Sequence, residues 1–277
     1  MLDLTPLAPQ FVARVNGVDL RRRPDHEDAA KLRQAFLDHK LLVLSAPCLT
    51  EDELTVFART FGEVLPVPQG LVHERLTRLV HDHVVEMVRE TAEPGNPCNA
   101  WHADSTNHAE PEMGGVARAV ELPPLGGDTL FADMTAAYDG LSATMQAVLE
   151  PLRAVHDIAV MARPTQPSGA RLAELHERFP PVEHPVIRTH PVTGQKAIFV
   201  NKTWTSHIVG LDRRESDELL LFLFRQADKP EYQYRHRWHE GDVLIWDNRV
   251  VQHYAVADYG DQRRVLQRLS FKGDRPA

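Results

Sequence analysis

The chain has 277 residues, 43% of them hydrophobic and 25% charged, which is long enough to bury a sizeable core and too apolar for wholesale disorder. A formal net charge of -8 with no long basic run argues against nucleic acid or an anionic membrane surface as the partner. The opening Met1-Leu2-Asp3-Leu4-Thr5-Pro6 lacks a basic segment followed by an apolar one, no stretch approaches a membrane span, and Cys48 and Cys98 lie too far apart for a disulfide framework or a thiolate zinc site.

A cytoplasmic location and a single domain over residues 1–277 are therefore the expectation. Phe11 to Leu20 alternates apolar and polar residues, as an entering strand would. His26 to Lys40 has helical spacing and feeds a short buried strand, Leu41-Leu42-Val43-Leu44. Thr50-Glu51-Asp52-Glu53 reads as a capping box, opening a helix that runs through Phe57 and Ala58 to Phe61 and stops at Gly62. Between residues 63 and 100, prolines and glycines surround one apolar run, Leu79 to Val85, taken as a strand between two irregular loops. Val116 to Leu122 alternates again, Pro123-Pro124-Leu125-Gly126-Gly127 turns the chain into Asp128 to Phe131, and residues 135 to 152 have a helical pattern. Residues 162 to 184 are polar and Pro-rich, with a helical stretch at Leu172 to His176, and are expected to cover a site as a lid; they and residues 66–100 are the two loop insertions. Strands follow at Pro185 to Thr189, Ala197 to Asn201, Asp242 to Trp246, Val250 to Ala255 and Arg264 to Lys272, interrupted by a helix from Arg214 to Ala227. Many short strands with helices early and as insertions predict a mainly β fold with α additions, a jelly-roll or double-stranded β-helix.

One constellation carries chemistry. On an extended strand, residues i and i+2 share a face, so His102 and Asp104 of Trp101-His102-Ala103-Asp104 can offer an imidazole and a carboxylate to one ion. A third ligand must come from elsewhere, and His253 sits in the strand-like run Val250 to Tyr254. Two histidines and one carboxylate leave three positions open on an octahedral ion, as in non-haem iron(II) oxygenases. The His-X-Asp triplet alone is a weak signal, because it occurs by chance in many proteins. The terminal strand strengthens it: Arg264, Leu266, Arg268 and Ser270 share one face, and two inward arginines are costly to bury unless they meet anions. A planar guanidinium fork matched to a carboxylate removes that cost.

With these residues in place, the chain resembles the taurine dioxygenase/TfdA family of iron(II)- and 2-oxoglutarate-dependent dioxygenases. The resemblance runs from Gly17-Val18-Asp19-Leu20 through Trp101-His102-Ala103-Asp104-Ser105, Gly126-Gly127-Asp128-Thr129, Arg188-Thr189-His190-Pro191 and Trp246-Asp247-Asn248-Arg249 to Gly273-Asp274. It implies a double-stranded β-helix, iron(II) held by His102, Asp104 and His253, and 2-oxoglutarate and dioxygen as cosubstrates. It also implies that Arg264, eleven residues past His253, pairs with the far carboxylate of 2-oxoglutarate with support from Thr129. The implied reaction is hydroxylation of a small molecule coupled to decarboxylation of 2-oxoglutarate to succinate and carbon dioxide.

Arg268 matches the arginine that meets the substrate sulfonate in taurine dioxygenase, so the expected substrate is a small carboxylate, sulfonate or sulfate. The rest of that pocket departs: the family's loop histidine falls near Val67, and the asparagine four residues before the first ligand is Cys98, so taurine itself is not expected. Trp204, Asn99, Ser105 and the loop histidine His73 are further candidates for substrate contact, while Asn248 and Tyr254 are expected to hold hydrogen bonds beside the metal strand. Desaturation, epoxidation or oxidative decarboxylation with the same cofactors is an alternative outcome. A zinc-dependent hydrolase on the same three ligands is another, but it leaves Arg264 and Thr129 without a purpose. A homo-oligomer is expected from the resemblance alone.

Overall fold

Strands that read as unbroken apolar runs are buried on both faces, and in this chain they form the centre of the main sheet. The computed structural model describes residues 2–9, 11–67, 77–96, 98–162 and 168–277. The main sheet has eight strands in the order β1 (Asp3–Pro6), β2 (Ala13–Asn16), β3 (Leu41–Ser45), β14 (Asp242–Asp247), β6 (Gly114–Glu121), β16 (Arg264–Phe271), β5 (Val84–Arg89) and β4 (Thr77–His81). Along β3 and β14 the side chains alternate between two cores. Leu41, Val43, Leu244 and Trp246 face the minor sheets, whereas Leu42, Leu44, Val243 and Ile245 face the helices α1 (His26–His39) and α2 (Glu51–Ala58). Leu266 and the pair Leu269 and Phe271 divide in the same way, bearing out the strand parity read from the sequence.

The helices begin where their caps dictate. Asp25 accepts from the Asp28 amide to start α1, and Thr50 and Glu53 form the reciprocal box that starts α2. Lys40 ends α1 in the left-handed region at φ 61°, an uncommon conformation for a lysine, and its buried ammonium donates to Asp133 Oδ2 at 2.8 Å. That contact ties the α1–β3 corner to the end of β7 (Thr129–Asp133), where Asp133 also caps α3 (Met134–Asp139).

Opposite the main sheet lies a three-stranded sheet with β7 between β13 (Gln233–His236) and β15 (Val251–Ala255). Its Phe131, Ala132 and Val251 share one core with Leu244, Trp246 and Leu266, which makes the two-layered sandwich of a jelly roll. Smaller sheets follow: β12 (Thr205–Ile208), β8 (Arg153–His156) and β9 (Val182–Pro185) in one, β10 (Ile187–Thr189) and β11 (Lys196–Ile198) in the other.

Several predicted boundaries move. The run at 79–85 is not one strand but the hairpin β4–β5, whose turn uses no glycine because the His83 amide donates to His81 Nδ1. The helix expected over 135–152 divides into α3 and α4 (Ala143–Leu149), restarted by the Ser142 cap. At the break, a Cβ on Gly140 would lie 1.9 Å from Tyr232 Oη, so a larger residue there must displace the tyrosine hydroxyl. The stretch 185–189 divides between β9 and β10. The helical stretch within 162–184 extends to Gly169–Arg178, with α5 (Ile158–Met161) before it, α6 being Gly169–Arg178 itself; α7 (Arg213–Phe224) completes the set. No helix among the described residues is long and apolar enough to cross a membrane.

A buried histidine pair lies on the small β8–β9–β12 sheet. His156 and His184 pack edge to face at 5.1 Å and both meet the Phe199 ring. Burial holds His184 down to about 4 and His156 well below the ordinary histidine range. The unfolded chain therefore binds more protons than the folded one between about pH 6.5 and 4, so stability falls as pH drops through that window. The expected slope is on the order of 1.4 kcal/mol per pH unit from His184 alone. Urea unfolding across this range checks it: His184→Leu should flatten the slope, and a flat wild-type profile would show the burial argument wrong.

Candidate active site

Backbone pairing, not side-chain reach, brings the two histidines together. The His102 amide donates to the His253 carbonyl at 3.0 Å and the His253 amide donates back at 2.8 Å, an isolated antiparallel bridge. The imidazole centroids are 4.2 Å apart. His253 is carried on β15, directly opposite Phe131 of β7, and its ring also packs on Trp246. The expectation that His102 and Asp104 share a regular strand is corrected here. The chain turns after the bridge, with Asp104 at the start of the turn and Ser105 in the left-handed region at φ 56°. Asn248, just past β14, fixes that turn: its Oδ1 accepts from the Asp104 amide at 2.8 Å and its Nδ2 donates to the Asp104 carbonyl at 2.9 Å.

This geometry directs one atom from each side chain at a common point. His102 Nε2 lies 3.7 Å from Asp104 Oδ1, His253 Nε2 lies 3.6 Å from Asp104 Oδ2, and the three ligand atoms fall within 4.8 Å of one another. His102 Nδ1 is 2.7 Å from the Ala100 carbonyl, so it carries a proton and leaves Nε2 as a lone pair beside a carboxylate. Asp104 Oδ2, buried and 2.9 Å from Arg268 Nη2, accepts no well-directed hydrogen bond. Converging electron pairs with an orphaned buried oxygen fit a cation between them.

The electrostatics agree. Burial holds His253 down to about 3, keeping it neutral. Burial would raise the Asp104 carboxyl, but Arg268, His253 and His102 outweigh it and push the group below the usual carboxylate range. At His102 burial, which would lower the ring, is outweighed by Cys98 and Asp104, which push it up.

The triad lies in a cavity whose lining also includes Thr129, Arg264, Arg268, Asn99 and Cys98. Arg264 Nε donates to the Gly127 carbonyl at 2.9 Å, and its Nη2 is 3.4 Å from Thr129 Oγ1. Gly127 has φ 70° and a Cβ there would lie 3.0 Å from Arg264 Cδ, so both backbone and approach demand glycine. Burial lowers Arg264 to about 10, which leaves it cationic at neutral pH, and among the described residues it has no carboxylate partner. Trp238 donates from Nε1 to Thr129 Oγ1 at 2.9 Å, so the threonine oxygen accepts twice and keeps its own proton to donate.

Arg268 is differently placed. Its Nη1 donates to Asp104 Oδ1 at 3.2 Å, its Nη2 donates to Glu112 Oε2 at 2.7 Å, and its guanidinium stands over the Trp246 ring. Ser105 does not line the cavity; its hydroxyl donates to Glu112 Oε1 at 2.9 Å. Trp204 does not line it either, and lies on the turn before β12 with its amide on Asn201. Asn99 does, but its amide group is engaged by the Ala255 carbonyl and the Gly95 amide. Tyr254 packs against Trp101 in place of the expected hydrogen bond. His73 lies outside the described residues. Glu112 and Trp238 were not anticipated: one follows a proline in a loop and the other precedes β14, and neither position has a spacing that marks it.

A sequence model described as taurine catabolism dioxygenase TauD, TfdA family matches residues 3–270. An alpha-ketoglutarate-dependent 2,4-dichlorophenoxyacetate dioxygenase of Cupriavidus pinatubonensis is 34% identical over 97% of both chains. An alpha-ketoglutarate-dependent sulfate ester dioxygenase of Pseudomonas putida is 31% identical over 99% of this chain and 91% of that one. The crystal structure of a taurine dioxygenase from Burkholderia xenovorans superposes with a TM-score of 0.82 at 31% identity, covering 100% of this chain and 92% of the other.

Proposed function

We propose, for a chain that belongs to the TauD, TfdA family of dioxygenases, that His102, Asp104 and His253 hold iron(II), that Arg264 and Thr129 take the far carboxylate of 2-oxoglutarate, and that Arg268 receives the acid group of the substrate. The protein is an alpha-ketoglutarate-dependent dioxygenase, an oxidoreductase that uses iron(II), 2-oxoglutarate and dioxygen. Membership of this family displaces the zinc-hydrolase alternative. When bound, the metal and cosubstrate supply the oxidising power, with 2-oxoglutarate leaving as succinate and carbon dioxide.

The observation that carries the assignment is the pairing of two unsatisfied groups in one cavity. One is the triad with its orphaned Asp104 Oδ2; the other is the buried Arg264 without a carboxylate. A five-carbon keto diacid is a ligand with one end for each. Thr129 would donate a hydrogen bond to the carboxylate that Arg264 neutralises, and Trp238 orients that hydroxyl. Trp246 and Phe131 around His253 keep water from the ligand side.

The substrate is read as a small acid hydroxylated near its acid group. The relatives are named for a phenoxyacetate, a sulfate ester and taurine, which carry a carboxylate, a sulfate and a sulfonate. Val67 and Cys98 stand near the positions where taurine dioxygenase carries a histidine and an asparagine, so the substrate is not read as taurine itself.

Adding iron(II) and 2-oxoglutarate to the protein without oxygen tests the assignment. A weak visible metal-to-ligand charge-transfer band is expected, and it should be lost in His253→Ala. A colourless wild-type mixture would count against the cofactor arrangement.

A further inference from the structure

The two arginines of β16 differ in one respect that bears on selectivity. Arg264 awaits a carboxylate, whereas Arg268 already holds two, Asp104 and Glu112. A guanidinium takes a planar acid most strongly through Nε and Nη2, which lie on the same side of the group. The chain shows that fork fully used at Arg249, where Nε meets Asp247 Oδ1 at 2.8 Å and Nη2 meets Asp247 Oδ2 at 2.6 Å. At Arg268 the fork is half used: Nη2 is on Glu112 Oε2, and Nε is buried without a partner.

We propose that Glu112 is a specificity-determining residue whose carboxylate occupies half of the fork through which Arg268 takes the substrate acid, so that a bound acid must displace it. The proposal rests on the reading of Arg268 as the substrate-acid group. Glu112 is built into the same frame as the metal ligand: Ser105, next to Asp104, donates to its Oε1, and Asn248, which fixes Asp104, donates to its carbonyl at 3.0 Å. Its side chain is 21% exposed and it meets Arg268 from outside the cavity lining. A bound acid has to break the Glu112 contact, so only an acid that makes good contacts elsewhere in the pocket displaces Glu112.

Glu112→Gln keeps the shape and an oxygen for the Ser105 hydroxyl while removing the charge. The protein is loaded with manganese(II) and N-oxalylglycine, a 2-oxoglutarate analogue that fills the cosubstrate site, and titrated with methanesulfonate. Tryptophan fluorescence is the readout, since Trp246 lies 5.5 Å from the Arg268 guanidinium carbon. Glu112→Gln is expected to bind methanesulfonate about tenfold or more tightly than wild type, because the contact to be broken is no longer an ion pair. A purely structural role for Glu112 would weaken binding and could not strengthen it. Glu112→Ala should give the same direction of change, which guards against a fault specific to glutamine. Equal or weaker binding in both variants, including no saturable binding in any protein, overturns the proposal. Adding Arg268→Gln separates the two readings. If binding is lost there but was unaffected by Glu112→Gln, the role of Arg268 stands and that of Glu112 falls; if binding survives in Arg268→Gln, both fall.

Discussion

Asp104→Ala is expected to fold and to lose substrate-stimulated succinate formation, together with a fall in metal affinity of more than about 100-fold. The floor follows from the behaviour of residues that only orient a ligand, whose removal costs roughly 10- to 100-fold. Asp104 supplies the one formal negative charge among three donor side chains and stands between the two imidazoles, 3.7 and 3.6 Å from their Nε2 atoms. Removing it leaves two neutral ligands that a hard, oxygen-seeking ion holds poorly. The fold should survive because Arg268 keeps Glu112 and is not left as a bare buried charge. His102→Ala should behave alike in turnover, since the bridge to His253 is made by backbone atoms and remains. Manganese(II) titration followed by electron paramagnetic resonance measures affinity, and succinate release measures turnover. Retained turnover in both variants would sink the ligand assignment. Asn248→Ala provides the contrast: it touches only backbone of the Asp104 turn and of Glu112, so its effect should fall within the roughly 10- to 100-fold range.

What could be read beforehand depended on whether a feature is local in sequence. The parity of β16 was legible because a strand alternates faces at every residue, and Leu266 and Leu269 duly fall in different cores. The capping box at Thr50 was legible because its two partners are three residues apart. The convergence of His102 with His253 is a backbone bridge between segments 151 positions apart in the chain, and no local pattern encodes it. Only the resemblance joined them. At Gly140, where the helix breaks, Tyr232 Oη approaches the position of a missing Cβ, a contact that a helical pattern cannot register. Glu112 was invisible for a related reason: a loop glutamate is ordinary until the fold sets its carboxylate on an arginine of β16.

Arg264→Met is the second change with a large expected effect, and its two consequences should run in opposite directions. Truncating one partner of a buried charged hydrogen-bonded pair costs roughly 2–5 kcal/mol of binding, which corresponds to a loss of about 30- to several-thousand-fold in affinity. The 2-oxoglutarate requirement should rise by that order while the metal affinity stays near wild type. Without ligand, however, Arg264 is a buried cation whose hydrogen bonds go to a carbonyl and a hydroxyl, with no carboxylate at ion-pair distance among the described residues, and burial pulls it down to about 10. Such a group weakens the ligand-free fold, because desolvating a charge without a counter-ion is unfavourable. Methionine fills similar space without that cost, so the ligand-free variant should melt at the wild-type temperature or above it. Melting curves with and without 2-oxoglutarate, in the presence of manganese(II), test both halves together: wild type should gain stability on adding the diacid and Arg264→Met should gain little. An equal gain in the two proteins would show that the far carboxylate is held elsewhere. A variant that melts well below wild type without ligand would show that Arg264 supports the fold and is not a charge kept unpaired for the cosubstrate.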